Sequence, residues 1–264
     1  MIELLQYEFM QRALLGGLLI GITSSLIGVF LVLKRLSLLG DSFAHASFGG
    51  IALGFVLGWN PLLTAFGFVS IASLGIDRLI NKIKLYGESA IALLLSFGMA
   101  LALILIGAAD KINANIFSYL FGSLLTISYQ DIMFASIILV LVLIFYYFNY
   151  KKLFYSAFNR EIALIRNKNT KIIDKIFILL CAITIVISIR AVGILLISAL
   201  LVIPSLIGLR LSNSLKQTLM ISSCASVLGI YLGIFISYYF DLPTGGTIVM
   251  SLIGLFLISI FIKK

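Results

Sequence analysis

Charged residues are scarce in this chain, and histidine is almost absent. Of its 264 residues only 11% are charged and one is a histidine, whereas 62% are hydrophobic, and the mean hydropathy is +1.20. So much apolar surface cannot be buried in a soluble core, and we therefore expect an all-α polytopic membrane protein. No Pro/Gly/Ser-rich linker interrupts the sequence, so residues 1–264 are expected to form a single transmembrane domain.

Nucleotide-binding and catalytic motifs are missing as well. The chain has no G-x-x-x-x-G-K-[ST] phosphate-binding loop, so any use of ATP requires a separate partner subunit. It has no H-E-x-x-H motif and no other pattern typical of an intramembrane protease. A row of arginines in one helix and a T-V-G-Y-G-like filter are also absent. We predict that the protein is not an enzyme and has no permanently bound cofactor.

Nine apolar stretches approach the length of a bilayer crossing. They run over residues 12–33, 41–58, 61–80, 88–108, 131–149, 172–190, 192–209, 217–239 and 246–262. Because several are near the short limit, we expect eight to nine transmembrane helices. The segment 111–128 is too short, and too polar at its start, to cross, so a re-entrant or interfacial position is expected for it.

Basic residues crowd into alternate loops of this expected topology. Those on the crowded side are Lys34, Arg35, Arg78, Lys82, Lys84, the lysines and arginines from Lys151 to Lys175, Arg210, Lys216, Lys263 and Lys264. By the positive-inside rule this side is cytoplasmic, with the N-terminus outside and the C-terminus inside. The net charge of +9 is thus a topology signal next to lipid, and nucleic acid is not an expected partner.

One apolar stretch carries Asp41 and His45, and His45 is the only histidine of the chain. A spacing of four places both side chains on one face of a helix, where a carboxylate oxygen and an imidazole nitrogen can reach the same cation. Ionisable groups in a bilayer segment need a partner, water or a ligand. The alternative is structural: Asp41 caps the helix and His45 bonds locally.

Small residues follow the same helix at every fourth position. Ser42, Ala46, Gly50, Gly54 and Gly58 form a stripe that allows close helix packing. We expect Ala46, Gly50 and Gly54 to contact neighbouring helices, beside the face that carries Asp41 and His45. Packing alone, without a role in gating, is the alternative for the later glycines.

Several segments together resemble the permease subunit of ABC-type manganese/zinc importers, the ABC-3 permease family. They are LGDSFAHASFGGIALG (39–54), ESAIALLLSFGMALAL (88–103), YLFGSLLTIS (119–128), AVGILLISALLVIPSLIGLRLS (191–212) and YYFDLPTGGTIVM (238–250). The resemblance implies the ABC importer permease fold in a bacterial-type plasma membrane. It also implies a homodimer of this chain, two ATPase subunits inside and a metal-loaded solute-binding protein outside. The cargo would be a divalent metal ion, and members of the family are divided among manganese, zinc and iron.

Two further groups of site residues follow from the same resemblance. Family members carry an F-D-P-E-x-A-x-x-x-G segment that docks on the ATPase, and residues 151–171, here named the coupling segment, contain a partial match. Phe158, Glu161 and Ala163 match this segment, whereas Asn159, Arg160 and Asn167 replace the family's Asp, Pro and Gly. The residues expected to couple to the ATPase are Phe158, Arg160, Glu161 and Ala163. Asp41 and His45 would be transient metal ligands, and Asp241 in an outer loop would help to receive the ion or its carrier. For Asp241 the alternative is a helix cap or turn residue.

Other functions remain open from the sequence alone. A permease for metal chelates such as haem, siderophores or cobalamin would need a wide cavity instead of ionic ligands. An ion-coupled carrier would work without an ATPase, and a membrane scaffold would use Asp41 and His45 structurally. Because neither Cys181 nor Cys224 lies near His45 in sequence, a Cu(I) site of soft ligands is disfavoured.

Overall fold

The structure is a computed structural model that describes residues 7–108, 115–122, 124, 127–158, 163 and 169–262. Within these ranges the chain forms ten α-helices and no strand. The helices are α1 Glu8–Leu33, α2 Leu39–Leu57, α3 Pro61–Asn81, α4 Gly87–Ala108, α5 Asn115–Phe121, α6 Tyr129–Phe158, α7 Thr170–Val192, α8 Ile197–Leu211, α9 Leu215–Phe240 and α10 Thr244–Ile262. The expected all-α polytopic fold is confirmed.

Seven of these helices are long and apolar enough to cross a membrane, namely α1, α3, α4, α6, α7, α9 and α10. Helix α2 has 19 residues but also carries Asp41 and His45, and α8 has only 15 residues. At 1.5 Å per residue α8 is about 22 Å long, shorter than the hydrocarbon core of a bilayer. Each of the nine apolar stretches thus corresponds to one helix in the described ranges.

Helices α1 and α7 lie at the centre of the bundle. About 70% of the spanning window of each is buried (72% for α1 and 67% for α7), against 39% or less for the other five spanning helices. The two central helices are joined by a hydrogen bond between the hydroxyls of Ser24 and Ser188, at 3.0 Å. Phe30 of α1 packs edge-on against Tyr146 of α6 and Phe177 of α7. The other five spanning helices present apolar side chains outward, as lipid-facing helices do.

Helix α6 is longer than its apolar stretch predicts. The stretch ends at residue 149, whereas the helix continues through Lys151 and Lys152 to Phe158. Leu153 is fully buried and Ser156 nearly so, which gives the extra turns a packed face. The first eight residues of the coupling segment are therefore the last two turns of α6 and not a loop.

A break between α7 and α8 shapes the centre of the fold. Gly193 ends α7 with φ +84°, a conformation that L side chains rarely adopt. The freed backbone of the break bonds to the end of α5: the amides of Ile194 and Leu195 donate to the carbonyls of Tyr119 and Leu120, at 3.1 and 3.4 Å. Helix α5 has seven residues, about 10 Å, and lies within the segment expected to be re-entrant or interfacial.

Candidate metal site

Asp41 is the third residue of α2, and its carboxylate is bonded to another helix. Ser198 of α8 donates its hydroxyl hydrogen to Oδ1 of Asp41. The N-cap position of α2 is Leu38, which makes no side-chain cap. The Asp41 side chain is only partly buried, so it combines a fixed position with access. This arrangement holds one carboxylate oxygen in place and differs from the capping role considered as the alternative.

The break after α7 is what brings Ser198 to Asp41. The chain leaves α7 at Gly193 and resumes helical structure at Ile197, so Ser198 is the second residue of α8. Gly40 allows the close approach, since a Cβ there would lie 2.9 Å from the Ser198 hydroxyl and 3.1 Å from Cδ1 of Leu201. The position of Asp41 therefore depends on Gly40 in α2 and on Gly193 at the C-cap of α7.

His45 lies one turn after Asp41 on the same face of α2. Its Nδ1 atom is buried and has no hydrogen-bond partner among the described residues, while the residue as a whole is partly exposed. A buried polar atom without a partner costs roughly 1–3 kcal/mol. A neutral imidazole offers one nitrogen lone pair, which is the donor that a transition-metal ion uses. An available imidazole next to a fixed carboxylate is an arrangement that can hold a divalent cation.

The pair forms an incomplete metal site. Within the described part of the chain no group of three or more His, Cys, Asp or Glu side chains is close enough to hold a metal ion. A carboxylate and an imidazole suit hard and borderline divalent ions such as Mn²⁺, Fe²⁺ and Zn²⁺. A tight tetrahedral zinc site would use four ligands, so two side chains alone favour weak and reversible binding.

Helix α2 packs closely against its neighbours through small residues. A Cβ on Gly50 would lie 2.8 Å from Cα of Ala65 in α3, and one on Gly54 would lie 2.8 Å from Cα of Pro61. On the α4 side, a Cβ on Gly98 would lie 2.6 Å from the backbone at Ala46, which is fully buried. The predicted packing residues Ala46, Gly50 and Gly54 thus lie where α3 and α4 meet α2.

Asp241 does not lie with the other two candidate ligands. It adopts a left-handed conformation, φ +51°, at the C-cap of α9, and its side chain is exposed. It lines a cavity of about 410 Å³ together with Phe9, Gly122 and Thr244. This position matches the turn role considered as its alternative, and it places Asp241 at an open surface of the bundle.

The structure describes two of the four predicted coupling residues. Phe158 is the last residue of α6; it is largely exposed and packs against Phe154 with ring centroids 4.7 Å apart. Ala163 is buried, and its carbonyl accepts a hydrogen bond from the hydroxyl of Thr170 at 2.9 Å. Arg160 and Glu161 lie outside the described residues.

Ser198 is the site residue that sequence reasoning did not find. Serines are common in this chain, and nothing in its local pattern distinguishes Ser198 from those that bond their own helix. The available signal was Gly193, because a glycine inside an apolar stretch marks a place where the helix can end. A helix that restarts after such a break presents its first turn to its neighbours.

Comparisons with known proteins identify the family of this chain. The model of the ABC 3 transport family matches residues 6–263. The "Manganese import system permease protein ScaB" of Streptococcus parasanguinis is 33% identical over 97% of this chain and 91% of its own. The "Probable iron transport system membrane protein" of Haemophilus influenzae is 29% identical over 100% and 97% of the two chains. Among solved structures, "PsaBC from Streptococcus pneumoniae in complex with Fab" matches with a TM-score of 0.87 and 30% identity, covering 99% of this chain and 94% of that one.

Proposed function

Since the chain belongs to the ABC 3 transport family, we propose that it is the transmembrane subunit of an importer that moves divalent metal ions into the cell. The chain is an integral multi-pass protein of the bacterial plasma membrane and a permease subunit of the ABC type. The metal, the ligands and the partner proteins are the parts that we propose.

The observation that carries this proposal is the pair on α2. Asp41 is fixed by Ser198, and His45 has a buried nitrogen without a hydrogen-bond partner in the described ranges. Two such groups on one turn of a membrane helix are costly to keep unless they serve a ligand. A permease also needs a site that releases its cargo, and two side-chain ligands meet that requirement.

Manganese is the cargo that we propose first. The relative from S. parasanguinis is named as a manganese permease, and an oxygen and nitrogen donor set accommodates Mn²⁺. The H. influenzae relative is named for iron, and zinc binds the same donor types more tightly. Selectivity for Mn²⁺ would therefore require coordination number and geometry to oppose the intrinsic preference for zinc.

The partners follow from the proposed cycle. Because this chain has no phosphate-binding loop of its own, a separate subunit would have to hydrolyse ATP. That ATPase subunit would bind the coupling segment at Phe158, Arg160, Glu161 and Ala163. A solute-binding protein would deliver the ion near Asp241. A second copy of the chain, backbone carbonyls or water would complete the metal coordination, and alternation between outward-open and inward-open states would release the ion.

The test is metal uptake into proteoliposomes that contain this chain, its ATPase and its metal-loaded binding protein. We expect ATP-dependent uptake of Mn²⁺, with Fe²⁺ and Zn²⁺ compared at the same free concentration. Vesicles that lack ATP or the ATPase serve as controls. Equal uptake without ATP would contradict the proposal and favour an ion-coupled carrier. Uptake of a chelate such as haem, without uptake of free metal ions, would also contradict it.

A further inference from the structure

Lys34, in the turn before α2, contacts Ser156 within the coupling segment and Asp174 just after it. Lys34 caps the C-terminus of α1, and its Nζ lies 2.5 Å from Oδ1 of Asp174 in α7 and 2.9 Å from the hydroxyl of Ser156 in α6. Ser156 donates to the same Asp174 oxygen at 2.8 Å. We name Lys34, Ser156 and Asp174 the Lys34 triad. Its three members come from three helices and close a ring of hydrogen bonds.

The Lys34 triad is largely buried, although its three members line one side of a cavity. The side chains of Lys34 and Asp174 are 9% and 10% exposed, and Ser156 is 6% exposed. The ammonium of Lys34 also lies 5.4 Å from the centre of the Phe177 ring. Breaking a buried ion pair leaves a charge without compensation, so the three helix ends resist separation. A force on one of them is transmitted to the others.

On the side of the coupling segment, the contact continues along α7. The hydroxyl of Thr170, the first residue of α7, holds the carbonyl of Ala163. Thr170 and Asp174 are four residues apart, on one face of the helix, and both are buried. A displacement of the coupling segment at Ala163 therefore acts on the turn of α7 that carries Asp174.

The connection from Lys34 to the candidate metal ligands Asp41 and His45 is short. After Lys34 the chain turns through Arg35, which has a positive φ of 58°, and α2 begins at Leu39. Asp41 is thus seven residues from Lys34, with only a tight turn between the two helices. A shift of Lys34 moves the start of α2, where Asp41 meets Ser198.

The same three helices also meet through apolar contacts, which lack this directional character. Phe30 packs against Tyr146 and Phe177 through ring edges, and apolar surfaces of this kind allow helices to slide in shear motions. Because separating its buried charges is costly, we expect the Lys34 triad to stay bonded during such sliding. A cavity of about 310 Å³ beside it, lined by Lys34, Asp77 and Phe177 among others, leaves room for movement.

We propose that the Lys34 triad is a coupling element: it transmits movement of the coupling segment to α2 and so links ATP hydrolysis to metal release. Lys34 and Asp174 are positioning residues, since neither contacts Asp41 or His45. The inference rests on the proposed function and adds residues to it.

The experiment measures Mn²⁺ uptake and ATP hydrolysis in parallel, in proteoliposomes that hold the complete assembly. The decisive variant is the double substitution Lys34→Met with Asp174→Leu, which removes both charges of this ion pair together. Replacing a buried ion pair by apolar residues is often neutral or stabilising, so the double variant is expected to fold. We expect it to hydrolyse ATP normally while the metal transported per ATP falls by about fivefold or more.

Two further variants frame this result. Lys34→Arg keeps the charge and should recover more than half of the wild-type ratio. Lys175→Gln is the control, because it removes a neighbouring ion pair, between Lys175 of α7 and Asp77, in which the lysine is 49% exposed. The metal transported per ATP should change by less than about twofold in this variant.

A wild-type ratio in the double variant would overturn the proposal. So would a double variant that fails to fold, because the triad would then serve stability alone. Absence of ATP-driven uptake by the wild-type assembly is a separate result: it contradicts the proposed function, and the coupling role falls with it.

Discussion

Helices α2 and α4 are in close contact at His45, so a single added methyl group there should have a large effect on stability and transport. Gly98 of α4 faces the backbone of His45 and Ala46, and a Cβ there would lie 2.6 Å from three backbone atoms. That is about 0.8 Å short of the 3.4 Å at which ordinary contact begins. Because backbone cannot rotate away as a side chain can, Gly98→Ala must push α4 from α2. Overpacking of this kind costs roughly 1–3 kcal/mol.

Gly107 provides a matched control on the same helix. Nothing lies within 4 Å of the position that its Cβ would take. Replacing an unconstrained glycine by alanine stabilises a protein by about 0.4–1 kcal/mol, since the unfolded chain loses freedom. We therefore expect Gly107→Ala to melt at or above the wild-type temperature and to transport normally.

The assay combines thermal denaturation of the purified chain with Mn²⁺ uptake in the reconstituted assembly. Gly98→Ala should lower the melting temperature by roughly 2–4 °C for each kcal/mol lost and reduce uptake as well, because α2 shifts at His45. A Gly98→Ala variant that matches Gly107→Ala in both measurements would refute the close packing at His45.

Two other predictions concern the position of Asp41. Ser198→Ala removes the hydrogen bond to Asp41, so the metal concentration for half-maximal uptake should rise roughly 10-fold or more at unchanged folded yield. Ser251→Ala is the control, because it loses only a hydroxyl bonded to its own helix, and it should leave this concentration unchanged. An unchanged half-maximal concentration in Ser198→Ala would show that this bond does not position the carboxylate. Gly193→Ala places a side chain at φ +84°, so it should lower the free energy of unfolding by roughly 1–3 kcal/mol and lower the melting temperature. Gly246→Ala is the control, because its new methyl group meets nothing within 4 Å. Equal melting temperatures for these two variants would contradict the requirement for glycine at the break before α8.

Much of the fold could be predicted from hydropathy alone. Each apolar stretch became a helix, because a backbone in lipid has to satisfy its own hydrogen bonds. The family was also recognisable from the order of its punctuating motifs, and the comparisons confirm that assignment. Helix ends were less predictable. Helix α6 continues to Phe158 since Leu153 and Ser156 find buried contacts, and such contacts come from distant parts of the chain.

The site could be predicted only in part. The spacing of Asp41 and His45 placed both on one face of α2, as the structure shows. The partner of Asp41 could not be found in this way, because Ser198 is 157 residues away and reaches it only through the break at Gly193. The Lys34 triad is hidden for the same reason: Lys34 reads as one more positive residue of a cytoplasmic loop, although its side chain is buried against Asp174.

ATP-driven Mn²⁺ uptake by the folded His45→Ala and Asp41→Asn variants decides whether these two side chains belong to the metal path. Ser47→Ala is the control, because it lies on the same helix and its hydroxyl bonds the α2 backbone at Phe43. Chromatography must show that all three assemblies are intact. We expect at least a roughly tenfold loss of uptake in the first two variants and wild-type uptake in the control. Wild-type uptake by intact His45→Ala would rule out His45 as a metal ligand and place the metal path elsewhere in the bundle.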